Sequence, residues 1–196
     1  SESPAPGGGS ISAYIGSLGA ALATMVANLS AHKRGWDEKW EGFSMLAEKG
    51  QEYISVLEEL VDKDTEAFNA IISAFRLKST TKEEEDLKQS EIQKATLNAI
   101  KIPLKVMEIS LESMDLIETL VKKGNPNSIS DVGVAALCAR TAVIGAYLNV
   151  VINSKDYTDI KDRNRLLQIA KSIQAKAIKK ETNIIKSTLT EINNSS

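Results

Sequence analysis

Two long stretches of the chain are almost free of charge, and they limit the folds that the sequence can adopt. Residues 11–29 contain no charged side chain, and residues 132–152 contain only Arg140. Each stretch is close to the ~20 residues that a membrane-spanning helix needs. The first is full of Gly, Ala, Ser and Thr, and the second carries Arg140, Asn149 and several alanines. We therefore interpret both as central helices of a bundle, buried on all sides, rather than as membrane spans.

The bulk composition is typical of a soluble globular domain and argues against several other classes. Hydrophobic residues make up 42% and charged residues 26% of the 196 residues. The net charge of -2 gives no support for nucleic-acid binding, which needs a basic face. Cys138 is the only cysteine and His32 the only histidine, so neither a disulfide nor a structural zinc site is expected. We expect a protein of the reducing cytoplasm without a metal, nucleic-acid or membrane partner.

Capping and turn signals divide the chain into about five helices. Ser10 looks like the N-cap of the first helix, and Thr81 with Glu84 fits a capping box at the start of the third. Residues 124–127 form a stop signal. The predicted helices cover residues 10–33, 36–77, 81–123 and 128–153, followed by a last amphipathic helix. The second should be interrupted near Gly42 or Gly50, and Pro103 should kink the third.

These elements predict a single all-α domain over residues 1–196, folded as an up-and-down bundle of long helices. Residues 1–9 would form a glycine-rich leader loop and residues 190–196 a frayed tail. The first helix has one face of small residues, which allows another backbone to approach closely: Gly16, Gly19, Ala20, Ala23 and Ala27. Its other face is a stripe of larger apolar residues at helical spacing: Ile15, Leu18, Leu22, Met25, Val26 and Leu29.

Asp64 occupies one step of an apolar stripe on the second helix. The apolar members of that stripe are Leu57, Leu60, Val61, Phe68, Ile71, Ile72 and Phe75. Asp64 lies three residues after Val61 and four before Phe68, so its carboxyl group should face the buried side. Burial disfavours the charged form of a carboxyl group, and an acid that keeps its proton near neutrality can act as a general acid. The alternative is a structural Asp paired with a buried cation such as Arg140 or Arg76.

The run Pro6-Gly7-Gly8-Gly9-Ser10 leads directly into a helix. Glycines let the backbone approach a ligand, and a helix N-terminus favours an anion. The run lacks the spacing and the lysine of a phosphate-binding loop. A flexible leader explains it equally well.

Other polar residues have structural explanations as well as functional ones. Residues 124–131 read as a turn and a helix cap. Asn149 and Asn153 share a helix face and need partners if they are buried. Lys33 and Arg34 could attract acidic substrate tails, although a surface charge pair at a helix end explains them better. We expect His32 beside them to be exposed.

Several motifs in one order resemble the cyclodeaminase domain of the formiminotransferase-cyclodeaminase family. The resemblance extends from Pro4 to about Asp159, and its motifs occupy residues 4–10, 16–26, 61–68, 74–77, 124–125, 130–137 and 145–153. Two positions depart from the family pattern: Lys78 stands where a proline is common, and His32 where a glycine is common. These departures leave the substrate open.

The resemblance implies an all-helical, usually dimeric folate enzyme whose catalytic acid falls on Asp64. It implies no metal or cofactor beyond the tetrahydrofolate derivative that is the substrate. The Gly7, Gly8, Gly9 and Ser10 loop would line the folate site. Candidates to orient the pterin or its linker are Arg76, Asn125, Ser130, Asp131 and Asn149. Lys33 and Arg34 would meet the glutamate tail.

The family includes the ammonia-releasing half of a bifunctional enzyme of histidine breakdown and free-standing bacterial methenyltetrahydrofolate cyclohydrolases. We expect a cyclodeaminase that converts 5-formimino-tetrahydrofolate to 5,10-methenyl-tetrahydrofolate and ammonia. The alternatives are a cyclohydrolase that opens the methenyl bridge to 10-formyl-tetrahydrofolate and a non-catalytic folate-binding helical protein. An idle buried acid would cost stability, which argues against the last.

Overall fold

The computed structural model describes residues 6–194, which form a bundle of five α-helices. These are α1 (Gly8–Ala31), α2 (Trp40–Phe75), α3 (Lys82–Lys123), α4 (Ile129–Asn153) and α5 (Ile160–Asn194). Short 3₁₀ helices at Asp37–Lys39, Pro126–Ser128 and Ser154–Asp156 lie between them. No strand occurs within residues 6–194, and the all-α prediction is confirmed.

The two ends of the bundle differ from the sequence prediction. Helix α1 begins at Gly8, so the last two residues of the predicted leader loop are helical. Helix α5 continues to Asn194, so most of the predicted frayed tail is helical too. The remainder of the predicted leader, residues 1–5, and the last two residues of the chain lie outside the described residues.

Helices α1 and α4 pack against each other through small residues. A Cβ atom at Gly19 would lie 3.0 Å from the backbone oxygen of Ala135, and one at Gly16 would lie 3.3 Å from the Cβ of Ala142. Such short separations leave no room for side chains, so the glycines allow the close approach. The prediction for the small-residue face of α1 is confirmed.

The larger apolar residues of α1 and α4 point away from the core. Leu18, Met25 and Leu29, which belong to the predicted stripe, are exposed, and only Val26 of that stripe is fully buried. The expectation that both helices are buried on all sides is therefore wrong for the single chain. Because the small residues permit the closest packing, they take the core positions and leave large side chains on the outer surface: Ile11, Tyr14, Leu18, Met25, Leu29, Val134, Leu137, Leu148 and Ile152.

Both uncharged segments are long and apolar enough to cross a membrane by length and composition. In Gly8–Ala31, 61% of the most apolar window is buried, whereas 39% is buried in Pro126–Asp156. A core helix of a soluble protein passes the same test of length and composition. The partial burial in α4 reflects the same outward-facing apolar residues.

Helix α2 is continuous through Gly42 and Gly50, so the predicted interruption is wrong. Gly50 is buried, and a Cβ atom there would overlap the hydroxyl group of Thr24. Gly50 is therefore a packing contact with α1 rather than a helix break. The predicted capping box at Thr81 and Glu84 is confirmed, with both of its hydrogen bonds present.

Pro103 lies inside α3 and has no N–H group to offer the carbonyl of Ala99. The side-chain Nδ2 of Asn153 donates to that carbonyl at 2.7 Å. Asn153, the last residue of α4, therefore satisfies the acceptor that the proline leaves free. The partner expected for Asn153 is a structural one that ties α4 to α3.

Candidate functional site

Asp64 lies on the face of α2 that turns toward the bundle. The buried residues of the helix include Leu57, Leu60, Ala67 and Ala74, and Asp64 falls four residues after Leu60 and three before Ala67. The predicted orientation of the carboxyl group is confirmed.

The degree of burial around Asp64 is lower than predicted. Asp64 is half-buried in the single chain, as are Phe68, Ile71 and Ile72 of the predicted stripe, and Phe75 is exposed. In this part of α2 the close contacts are made by alanines instead. The larger residues of the predicted stripe are therefore left nearer the surface.

The glycine run meets Asp64 directly. The Oγ of Ser10 donates a hydrogen bond to Oδ2 of Asp64 at 2.8 Å. A Cβ atom at Gly9 would lie 2.6 Å from the Cγ of Asp64, closer than real Cβ contacts come. Gly9 and Ser10 are both buried. The absence of a side chain at residue 9 therefore lets the carboxylate lie against the start of α1.

Ser10 does not cap α1 as predicted. Gly7 is the N-cap residue, and Ser10 lies within the first turn. The hydroxyl group of Ser10 is used by Asp64 instead. The first turn of a helix has N–H groups without intrahelical acceptors and carries partial positive charge. The carboxyl group of Asp64 therefore lies beside the turn that was predicted to line a ligand site.

Asn149 adds a third helix to the site. A Cβ atom at Gly8 would lie 3.4 Å from Nδ2 of Asn149, an ordinary van der Waals distance. The same Nδ2 donates to the carbonyl of Gly145 at 2.9 Å, which ties the side chain of Asn149 to the preceding turn of α4. Helices α1, α2 and α4 thus bring together part of the predicted set, namely Gly8, Gly9, Ser10, Asp64 and Asn149.

Apart from Gly7, the N-cap residue of α1, and Arg76, which follows α2, the other predicted residues lie far from Asp64 within one chain. The backbone N–H of Asn125 donates to the Oγ of Ser30 at 2.8 Å. Ser30 is twenty residues along α1 from Ser10, which corresponds to roughly 30 Å.

Several other candidates lie near that distant end or at the end of α2. Lys33 follows α1 there, with its Nζ 4.3 Å from the centre of the Trp36 ring. Arg34 is exposed beside it, and His32 is exposed as expected. Ser130 and Asp131 belong to the first turn of α4, close in sequence to Asn125. Arg76 is exposed at the C-terminus of α2. The substrate-binding roles of these residues stay predictions.

The alternative in which Arg140 pairs with Asp64 is wrong. Arg140 Nη1 lies 3.6 Å from Oε2 of Glu181, a buried carboxylate on α5. Arg140 therefore joins α4 to α5. Asp64 is in no ion pair with Arg76 either among residues 6–194.

A cavity of about 810 Å³ lies at the end of the bundle remote from Asp64. It is lined by residues that include Trp36, Phe43, Lys39, Lys122 and Ile129. None of the residues that gather around Asp64 lines it. Within the described part of the chain, no group of three His, Cys, Asp or Glu side chains is placed to hold a metal ion.

Sequence reasoning missed Thr65 as a member of the site. Its Oγ1 lies 3.3 Å from the Oγ of Ser10. The two residues are 55 positions apart, so no periodicity or cap motif connects them. Only the packing of α1 against α2 brings the hydroxyl groups together.

A family model described as formiminotransferase-cyclodeaminase matches residues 1–175. The chain belongs to the formiminotransferase-cyclodeaminase family. The resemblance stated from its motifs is thus confirmed, and the contact between Asp64 and the glycine run joins two of those motifs in space.

Two curated relatives illustrate how this family varies in length. The chain is 38% identical over 159 residues to the methenyltetrahydrofolate cyclohydrolase of Methylorubrum extorquens, covering 81% of this chain and 76% of the relative. It is also 38% identical over 178 residues to the formimidoyltransferase-cyclodeaminase of Rattus norvegicus, covering 87% of this chain. The match spans only 33% of that longer relative.

A solved structure shares the fold. The crystal structure of formiminotetrahydrofolate cyclodeaminase from Thermotoga maritima matches with a TM-score of 0.87 and 26% sequence identity. The match covers 98% of this chain and 92% of the other. The two chains therefore share the five-helix arrangement over nearly their whole matched lengths.

Proposed function

We propose that this chain is a formiminotetrahydrofolate cyclodeaminase with Asp64 as its general acid. As a member of its family, the chain is an enzyme of folate one-carbon metabolism that acts on tetrahydrofolate derivatives. The observation that carries the finer proposal is the carboxyl group of Asp64, held by Ser10 against the glycine start of α1. Asn149 lies next to the same turn and offers a polar contact to the bound pterin or its linker.

The proposed reaction needs one proton donor and one fixed substrate conformation. The anilinic nitrogen of the substrate attacks the formimino carbon, and a new C–N bond closes the ring. The bond to the former imino nitrogen then breaks. That nitrogen takes up the proton of the attacking nitrogen and a second proton from Asp64, so that it leaves as ammonia and the positive charge stays on the methenyl bridge. The products are 5,10-methenyl-tetrahydrofolate and ammonia.

The reacting atoms already belong to one molecule. Holding them in a near-attack conformation is therefore a large part of the catalytic task. The glycine turn suits this role, because residues without side chains let the substrate approach both the backbone of α1 and the Asp64 carboxyl group. The proposal uses no metal, cofactor or covalent nucleophile.

A second candidate is methenyltetrahydrofolate cyclohydrolase activity. The supporting observation is the Methylorubrum extorquens relative of that name, which this chain matches over 76% of the relative's length. In this reaction water adds to the methenyl carbon, the bond to one ring-closing nitrogen breaks, and 10-formyl-tetrahydrofolate results. Asp64 would assist this reaction by transferring a proton from the water that adds to the methenyl carbon or to the nitrogen that leaves it.

The two reactions are separated by one assay with two substrates. The protein is incubated with 5-formimino-tetrahydrofolate, and methenyl absorbance and free ammonia are followed together. A rise in both is expected for the cyclodeaminase. If neither rises, methenyl-tetrahydrofolate is supplied, and a decay faster than the buffer blank assigns the cyclohydrolase. No change with either substrate contradicts both activities.

We further propose that the outer face of α1 and α4 is a homodimer interface. Helix α1 contains no charged residue, and its exposed side chains include Tyr14 and Leu18, while α4 exposes Leu137 and Leu148. Extended apolar surface of this kind marks an interaction site in a soluble protein. A second copy offers a matching face without charge. If the α1 helices are antiparallel in the dimer, the Lys33 end of one copy lies beside the Asp64 end of the other.

The dimer is tested by light scattering after size-exclusion chromatography. Leu18→Lys should convert the dimer to a monomer, because it would bury a charge in the interface. Met45→Lys is the matched control, since Met45 is 69% exposed on α2 and lies outside the face. A monomeric wild type, or dissociation by both variants, contradicts this interface. Binding of the wild type to lipid vesicles would assign the face to a membrane instead.

A further inference from the structure

We propose that Thr65 is a positioning residue that acts through Ser10 to keep the acidic proton of Asp64 on Oδ1. The inference rests on the proposed function, because it concerns the delivery of that proton. It is carried by the three side chains Thr65, Ser10 and Asp64, which form a chain of contacts between α2 and the first turn of α1.

The directions of the two hydrogen bonds follow from the number of hydrogens. Ser10 has one hydroxyl hydrogen, and it is donated to Oδ2 of Asp64 at 2.8 Å. The contact between Ser10 and Thr65 is 3.3 Å long. Because Ser10 has no second hydrogen to donate, Thr65 is the donor of that contact in the proposed relay. The order of donation is therefore Thr65 to Ser10 to Asp64.

Thr65 departs from the usual behaviour of threonine in this chain. In a helix, a threonine hydroxyl can donate to the carbonyl four residues earlier. Within residues 6–194, six helical threonines do so: Thr24, Thr96, Thr119, Thr141, Thr182 and Thr190. Thr65 makes its contact with Ser10 instead. Its hydroxyl thus serves a connection between helices rather than its own helix.

The relay decides which oxygen of Asp64 can carry the proton. With Ser10 donating to Oδ2, a proton on Oδ2 would compete for the same space, so the acidic proton has to lie on Oδ1. Of the two carboxyl oxygens, Oδ1 approaches closer to the Cβ position of Gly9. Without Thr65, the hydroxyl of Ser10 can rotate and accept a proton from Oδ2. That proton would then face Ser10 rather than the glycine turn, beside which the proposed function places the substrate.

The test replaces the hydroxyl of Thr65 while keeping its shape. Thr65→Val should lower kcat about fivefold, since a hydrogen bond typically contributes about 1 kcal/mol. KM should change less than twofold, because the substrate itself is not contacted. Thr65→Ser should restore most of the activity. Thr182→Val is the matched control, since Thr182 is an exposed helical threonine on α5, and its kcat should be unchanged.

A double-mutant cycle with Ser10→Ala decides whether Thr65 acts through Ser10. In the Ser10→Ala background, Thr65→Val should cause no further loss of kcat. An equal loss in both backgrounds, a loss confined to KM, or no loss in an active enzyme overturns the relay. An inactive wild type refutes the proposed function separately. In that case the same cycle is measured by melting temperature. Additive losses of melting temperature overturn the relay, and non-additive losses support it.

Discussion

Gly9 offers a quantitative test of how closely α1 approaches the acid. In Gly9→Ala, the new Cβ atom would lie 2.6 Å from the Cγ of Asp64, whereas ordinary contacts begin at 3.4 Å. The Oδ1 atom of Asp64 would come closer still, so the carboxyl group has to retreat by at least about 0.8 Å, or α1 has to shift by the same amount. A misplacement near 1 Å costs on the order of 10²-fold in rate when a catalytic group has to meet a reacting atom. We expect a loss of that size in kcat.

Two other glycines supply graded controls for the same substitution. A Cβ atom at Gly8 would make an ordinary contact of 3.4 Å with Asn149, and one at Gly42 would meet nothing within 4 Å. Gly8→Ala should therefore keep kcat within a few-fold of the wild type. Gly42→Ala should keep kcat unchanged and stabilise α2 by about 0.5–1 kcal/mol, because alanine loses less backbone entropy in a helix.

The assay compares kcat for 5-formimino-tetrahydrofolate with thermal unfolding for all three variants. We expect kcat to be highest for Gly42→Ala and next highest for Gly8→Ala, with Gly9→Ala far below both. A Gly9→Ala enzyme with kcat within twofold of the wild type would refute the reasoning, since the crowded carboxyl group would then have no part in turnover.

Two further predictions concern α3. Asn153→Ala should cost about 1–3 kcal/mol in urea unfolding, because the carbonyl that Pro103 leaves free loses its donor. The cost should fall by at least half in a Pro103→Ala background, and additive costs would contradict this. Hydrogen bonds from Thr80 and Thr81 lower the pKa of Glu84 from 4.5. Its stabilising effect is thus present above pH 4.5 and lost as the pH falls through the lowered value. Over that pH range the melting temperature of the wild type should fall further than that of Glu84→Gln, and equal falls would refute the prediction.

Local signals in the sequence predicted the helix framework well. The capping box at Thr81 and Glu84 fixed the start of α3 to within one residue, since it depends only on neighbouring residues. The orientation of Asp64 also followed from helical periodicity. Each of these features belongs to a single helix. The order of residues along that helix is almost enough to determine it.

Contacts between helices were harder to predict. Both faces of α1 are apolar, so hydrophobicity does not reveal which one packs inward; the fit of Gly16 and Gly19 against α4 decides it. The partner of Arg140 is likewise on another helix, at Glu181. Motifs that resemble one family need not meet within one chain, as the distance of Asn125 from Asp64 illustrates.

Turnover by Asp64→Asn tests the central claim most directly. The variant keeps the size of the side chain and can still accept a hydrogen bond from Ser10, but it cannot supply an acidic proton. We predict that kcat for 5-formimino-tetrahydrofolate falls on the order of 10²- to 10⁴-fold, the usual contribution of a general acid. The melting temperature of Asp64→Asn should stay close to the wild-type value. Asp62→Asn is the control at an exposed neighbouring residue, and its activity should also stay close to that of the wild type. A folded Asp64→Asn protein that turns over the substrate within a few-fold of the wild-type rate would contradict the account.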